Sequence, residues 1–177
     1  MLGKCWHVSD ATRRNPAFLV EFDKIRKNNS LIEHIFKGDY RKTTGCHVRS
    51  CVDGINIRFE GGRIPEGTSL GVLKGDIEIR KELFDPNNGG KPFSPPQYKW
   101  VKKNTQGEPQ TFFPSTWSEG MVLEQCASAF TNPKKTFATK PDGSLYSRMY
   151  EAESDSGVFI RWFVDPNGNP ISFFPEF

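Results

Sequence analysis

The chain has 177 residues, enough for one domain with a real core, and 36% hydrophobic with 25% charged residues excludes a disordered chain. A formal charge of +3 is mildly basic, which permits a nucleic-acid partner without requiring one. No apolar run approaches the roughly 20 residues of a membrane-spanning helix, and the opening "MLGKCWHVSD" has no apolar signal core.

Residues 1–15 read as an N-terminal tail or linker and 16–177 as one domain. Asn15-Pro16 starts a helix, a capping side chain followed by proline in the first turn. Phe18, Phe22 and Ile25, then Leu31, Ile32 and Ile35, keep a helical period interrupted at "KNNS". This predicts two helices or one broken helix ending at Gly38, with His34 in its last turn. From Ile55 the period becomes two: "INIRFE" alternates Ile55, Ile57 and Phe59, and "GVLKGDIEIR" alternates Leu73, Ile77 and Ile79. Glycine- and proline-rich loops, "EGGRIPEGTS" and "DPNNGGKPFSPP", punctuate this region, and "QYKWVKK" and "QTFF" follow as strands.

A second helix is predicted in "STWSEGMVLEQCASAF". Thr116 and Glu119 have capping-box spacing there, and Val122, Cys126, Ala129 and Phe130 form its apolar stripe. The chain closes in a hairpin, "GVFIRWFVDPNGNPISFF", turned at Asn167-Gly168. The order helices, strands, helix, strands predicts an α+β domain with antiparallel sheets.

Two of the three histidines, His34 and His47, fall in one short segment with Lys37, Arg41, Lys42 and Arg49, and with Asp39 as the opposing charge. A metal site, a solvated face with incidental histidines, and an acid–base pair acting on a phosphate all fit that composition. Zinc is disfavoured because Cys5, Cys46, Cys51 and Cys126 contain no C-x-x-C pair. A Cys46–Cys51 disulfide is possible on spacing, but scattered reduced thiols are the expectation. A single histidine reads as an ordinary surface or core residue. Two imidazoles with a lysine form the minimal metal-free apparatus for RNA cleavage, in which one takes the 2′-OH proton and the other protonates the leaving oxygen. The lysine then stabilises charge on the phosphorane.

"EHIFKG" (Glu33 to Gly38) and "TGCHVRS" (Thr44 to Ser50) resemble the two histidine motifs of the EndoU endoribonuclease family. "QTFFPSTWSEGMVLEQCASAF" resembles the S-T-F-F-P-x-x-W-S helix start of bacterial EndoU toxin domains, and "GVFIRWFVDPNGNPISFFPEF" their closing hairpin. The matches fall in family order over residues 33–177. The resemblance implies a ribonuclease fold of the barnase/EndoU/colicin/RelE type. It also implies a cofactor-free endoribonuclease that leaves 2′,3′-cyclic phosphate ends on single-stranded RNA, with tRNA a candidate substrate.

Carried over residue by residue, His34 and His47 take the catalytic positions, and Ser172 and Phe174 those that bond and stack on the base. The third catalytic position is a lysine before T-F-F-P. Lys103 is the first candidate, Lys102 the second and a substrate contact, and Lys74 an outsider. This sequence departs from the family in that lysine's spacing, in Gln110 for the usual serine, and in Phe174 where many relatives have tyrosine. The segment from Thr131 to Gly157 also looks long for the family, and a surface excursion is expected there. The bacterial branch occurs chiefly as a toxin module delivered into a rival cell and blocked by a cognate immunity protein. The resemblance thus implies action in the target-cell cytoplasm, and a monomer is expected. Two other classes compete: an inactive RNA-binding or interaction domain of the same fold, favoured by the lysine spacing, and a cysteine hydrolase using Cys46 or Cys51 with His34.

Overall fold

The structure, a computed structural model, describes residues 7–38, 45–62, 66–103 and 109–177. Asp39, Arg41, Lys42, Thr44 and Cys5 lie outside the described residues. So does most of the stretch between Lys103 and Gln110.

Helices come first. α1 (Asp10–Arg13) is a single turn, followed by α2 (Pro16–Lys27) and α3 (Asn29–Phe36). The expected cap holds: the Asn15 side chain accepts from Ala17 N–H, with Pro16 in the first turn. "KNNS" breaks the helix because Asn28 leaves the helical region and its side chain caps α3 by accepting from Leu31 N–H. Within the stretch read as a tail, residues 7–15 pack against the rest of the chain. Val8 is buried, His7 N–H donates to Glu124 at 2.6 Å, and Thr12 bonds Asp155 at 3.0 Å.

The middle of the chain builds two three-stranded antiparallel sheets and a small ribbon. Strands β1 (Ile57–Phe59), β4 (Ile77–Glu82) and β7 (Tyr98–Lys102) form one sheet. Strands β2 (Glu66–Gly67), β3 (Leu73–Gly75) and β8 (Gln110–Phe112) form the other, and β5 (Phe84–Asp85) pairs with β6 (Lys91–Pro92). Ile57, Phe59, Ile77 and Ile79 are buried as their alternation predicts, whereas Ile55 lies before β1 and is exposed.

Helix α4 (Glu119–Phe130) buries Val122, Cys126 and Ala129, with Phe130 half-buried. Its cap differs from the expected Thr116–Glu119 box. Pro114 to Trp117 makes a turn closed by Trp117 N–H on the Pro114 carbonyl, so the helix starts later and the Ser118 hydroxyl accepts from Met121 N–H.

The last four strands form an antiparallel sheet in the order β12 (Pro170–Pro175), β11 (Phe159–Val164), β10 (Leu145–Glu153), β9 (Thr136–Thr139). The segment from Thr131 to Gly157, expected as a surface excursion, therefore supplies half of this sheet. Tyr150 shows why it packs: its ring stacks on Phe137 at 4.5 Å and on Trp162 at 6.0 Å. The closing turn holds Asn167-Gly168 in a longer loop. The Asp165 carboxylate accepts from Asn167 N–H and Asn169 N–H, and Gly168 adopts φ +84°.

Two cores result. The larger joins the helices to the four-stranded sheet and includes Phe18, Ile35, Phe113, Trp162 and Phe173. The smaller holds Cys46, Val52, Ile57, Phe59, Ile77, Ile79 and Phe112. Consecutive residues Phe112 and Phe113 face opposite ways along the extended chain and so anchor one core each.

Cys46 and Cys51 are joined in a disulfide, contrary to the expectation of reduced thiols. The reason is local: Cys46 sits at φ +69°, and the short helical turn Arg49–Cys51 folds the chain back, leaving the two Cα atoms 5.8 Å apart. Cys126 is free and buried. Among the described residues no helix is long and apolar enough to cross a membrane.

Phe173 is fully buried against Trp162 and Phe130, on the side of β12 opposite Ser172 and Phe174. Phe173→Ala should lower the unfolding free energy by about 3–5 kcal/mol. Urea unfolding at constant pH measures this, and a loss under 1 kcal/mol, on the order of a surface change, would show the ring is not a core element.

Candidate active site

Helix α3 ends where the site begins. The N–H groups of Lys37 and Gly38 both turn back to the Glu33 carbonyl, and Gly38 takes φ +67° as a helix-terminating glycine. The chain returns at Gly45, so close to α3 that a Cβ there would meet the His34 carbonyl oxygen at 2.2 Å. With φ +74° as well, only glycine fits. Cys46 N–H then donates to the His34 carbonyl at 2.9 Å and His47 N–H to the Ile35 carbonyl at 2.8 Å. On its other side His47 accepts from Phe113 N–H through its own carbonyl at 2.8 Å. These bonds bring the two imidazoles to 5.6 Å between ring centres.

Lys103 follows β7, held by its N–H on the Ile77 carbonyl. Alternation along the strand sends it inward while Lys102 points out. Its ammonium is buried and donates to the Gly45 carbonyl at 2.6 Å and to Gln110 Oε1 at 2.5 Å, leaving one of three N–H groups without a partner among the described residues. The spacing that sets this lysine apart from the family therefore does not keep it from the site.

Gln110, marked in the sequence only as a replacement for serine, is the residue that joins the others. Its Oε1 faces the ammonium, so its Nε2 is turned away, toward the Cys46 carbonyl at 3.0 Å and His47 Nδ1 at 2.8 Å. The amide accepts from the ammonium through its oxygen and can donate to the imidazole through its nitrogen at once. His47 Nδ1 also lies 3.3 Å from the Thr111 carbonyl. When neutral, the ring can accept from Gln110; when protonated, it can donate to Thr111. No buried side-chain nitrogen or oxygen among the described residues lacks a partner. His47 Nε2 has no hydrogen-bond partner among the described residues.

Burial and like charge set the protonation states. Burial pushes the Lys103 amine down to about 8. His34 is held below its ordinary value first by burial and then by the Lys103 charge. His47 is held well below it by burial, then Lys103, then His34, with the Thr111 carbonyl opposing. Both rings are therefore mainly neutral at pH 7, beside an ammonium that is still mainly protonated.

Strand β12 closes the group. Ser172 Oγ lies 3.0 Å from His34 Nε2, and the Phe174 ring is stacked on His47 at 5.5 Å. The structure thus brings together His34, His47, Lys103, Ser172 and Phe174. It does not bring in Lys102, which is ion-paired with Asp76 at 2.8 Å and Glu60 at 3.2 Å on the outward face of β7. Lys74 pairs with Thr111 across β3 and β8, with its ammonium over the Phe177 ring at 4.8 Å. Cys46 and Cys51 are paired in the disulfide, so neither offers the thiolate a hydrolase would need. Among the described residues, no group of three or more His, Cys, Asp or Glu is placed to hold a metal ion.

Replacing Gln110 by glutamate puts an anion between Lys103 and His47. An adjacent opposite charge favours the protonated imidazole by roughly 1–3 pKa units, so Gln110→Glu should raise the His47 pKa from well below 6.5. NMR titration of the imidazole reads this directly. An unchanged value would mean that the amide does not touch the ring.

The family model described as "Bacterial EndoU nuclease" matches residues 28–176, a span that holds both histidines, Lys103, Gln110 and the closing hairpin. No curated protein and no solved structure matches the chain. With that match over most of its length, the chain belongs to the bacterial EndoU nuclease family.

Proposed function

We propose that this nuclease is an endoribonuclease that needs no metal and cuts single-stranded RNA by internal transesterification. The observation that carries the reading is the convergence of two imidazoles and one buried ammonium, joined by Gln110. One imidazole removes the ribose 2′-OH proton, and the 2′-oxygen attacks the adjacent phosphorus. The other protonates the departing 5′-oxygen, leaving a 2′,3′-cyclic phosphate and a 5′-hydroxyl. The Lys103 ammonium stabilises charge on the phosphorane oxygens. The nucleophile belongs to the substrate, so no group is needed to activate water.

Two neutral imidazoles are only half prepared for this, since the acid must start protonated. An entering phosphate supplies the correction: its negative charge offsets that of Lys103 and raises both histidine pKa values. Phe174 offers a ring on which the base beside the cut stacks, and Ser172 a hydroxyl to bond its edge. The inactive-domain alternative drew on the lysine spacing, and the contacts of Lys103 with Gly45 and Gln110 favour the active reading over it.

The family resemblance extends the proposal to biology. The domain acts as a monomeric toxin delivered into a rival bacterium, where it cuts cytoplasmic RNA, with tRNA a candidate. A cognate immunity protein protects the producer. Expression in a susceptible strain tests this: growth arrest with cleaved RNA supports it, and unimpaired growth alongside activity in vitro removes the toxin role.

Cleavage of total RNA should persist in EDTA and yield cyclic phosphate ends. His34→Ala and His47→Ala should each lower the rate by on the order of 10²–10⁴ without unfolding the domain. A wild-type rate in either variant excludes that histidine.

Stacking on one ring is worth roughly 1–3 kcal/mol, so Phe174→Ala should slow cleavage about ten- to a hundredfold at little cost in melting temperature. Ser172→Ala should instead narrow the difference between uridine and cytidine sites. Equal cleavage of both bases by the wild type would remove the recognition role of Ser172.

A further inference from the structure

The ring stacked on His47 is the first of a series. Phe174 lies 6.1 Å from Phe163 of β11, and Phe163 lies 6.4 Å, edge-on, from Tyr146 of β10. The Lys140 ammonium then sits 5.6 Å from the Tyr146 ring centre. Phe163 pairs across the sheet with Ser172 on one side and Met149 on the other, which puts its ring on the face that carries Ser172 and Phe174. Strand β10 shifts register against β9 between Leu145 and Tyr150, and Tyr146 lies inside that irregularity.

The two faces of this sheet are unlike. Trp162 and Phe173 on one face are sealed in the large core beneath α4. Phe174, Phe163 and Tyr146 are only half-buried. Arg161, the cross-strand neighbour of Phe174 on this face, is taken up by Glu151 at 2.8 Å and Glu176 at 3.0 Å. What the face presents is a line of aromatic rings that starts at the candidate active site and ends at a lysine.

We propose that this line is a track for single-stranded RNA: Phe163 and Tyr146 stack bases beyond the one at the cut, and Lys140 meets a backbone phosphate. The proposal rests on the ribonuclease reading only for the identity of its ligand. Rings on neighbouring strands of one sheet are a known platform for about two or three unpaired bases. Stacking tolerates any base, so the track extends grip without narrowing sequence choice. Continuity with His47 argues for the substrate, rather than a protein, as the occupant. The distal end is built by the 131–157 segment, which gives that segment a substrate-binding role.

The test uses binding rather than cutting. A fluorescent oligouridine with 2′-fluoro groups has no nucleophile for transesterification, so affinity can be read without turnover. The wild type should bind the octanucleotide more tightly than the matching dinucleotide. Tyr146→Ala should reduce that ratio by about ten- to a hundredfold, the range for one stacked base, while Tyr146→Phe retains it. Lys140→Ala should reduce the slope of log affinity against log salt by about 0.7, the value for one phosphate contact on a single strand. An octanucleotide-to-dinucleotide ratio unaffected by Tyr146→Ala overturns the track, whether or not the protein cleaves RNA. Binding of both oligomers without any cleavage would instead count against the ribonuclease reading and leave the track standing.

Discussion

Two backbone hydrogen bonds hold the site together: Cys46 N–H to the His34 carbonyl and His47 N–H to the Ile35 carbonyl. The last carbonyls of a helix have no partner within it, and α3 offers two of them to a chain that returns through the left-handed residues Gly45 and Cys46. Gly45 makes the approach possible, since any side chain would strike the helix backbone. The same residue turns its own carbonyl to the Lys103 ammonium. One glycine therefore fixes the distance between the histidines and the position of the lysine together.

The disulfide belongs to the same device. It joins the residue before His47 to the turn that follows, closing a loop of only five residues' separation. Disulfide stabilisation grows with the length of the loop closed, so the global contribution is small and the consequence is local. Cys46 keeps its left-handed backbone, and His47 stays clipped between α3 and Phe113. Because Cys46 sits in the smaller core while α3 and β12 belong to the larger, the site forms on the seam between two separately packed halves.

Periodicity made most of the fold legible. The helix break at Asn28, the alternating strands and the opposite faces of Phe173 and Phe174 follow from local patterns that packing did not override. Three features were not legible, each because a nonlocal contact decided it. The late start of α4 depends on the Pro114–Trp117 turn, with Trp117 stacked on Phe113. The 131–157 segment shows few core residues of its own, since Tyr150 finds Phe137 and Trp162 only when the sheet assembles. The bond between Cys46 and Cys51 requires a positive φ at a non-glycine residue, which spacing does not reveal. At the site, the histidines were found by motif. Gln110 was visible only as a departure, and the amide's double role appears once Lys103 and His47 lie on either side of it.

That double role bears on the charge balance of the site. Among the described residues, the ammonium of Lys103 is buried between neutral acceptors, a carbonyl and an amide, with no carboxylate bonded to it. Burial without a counter-ion is what lowers its pKa to about 8 and, through its charge, depresses both histidines. Replacing Gln110 by a carboxylate would relieve that cost, but it would also fill the position an entering anion is suited to balance. An amide leaves the charge uncompensated while still orienting it. A bound phosphodiester would then supply the missing counter-charge, and the histidines would gain proton affinity at the moment they need it. On the proposed mechanism, the charge of Lys103 couples substrate binding to the protonation that catalysis requires.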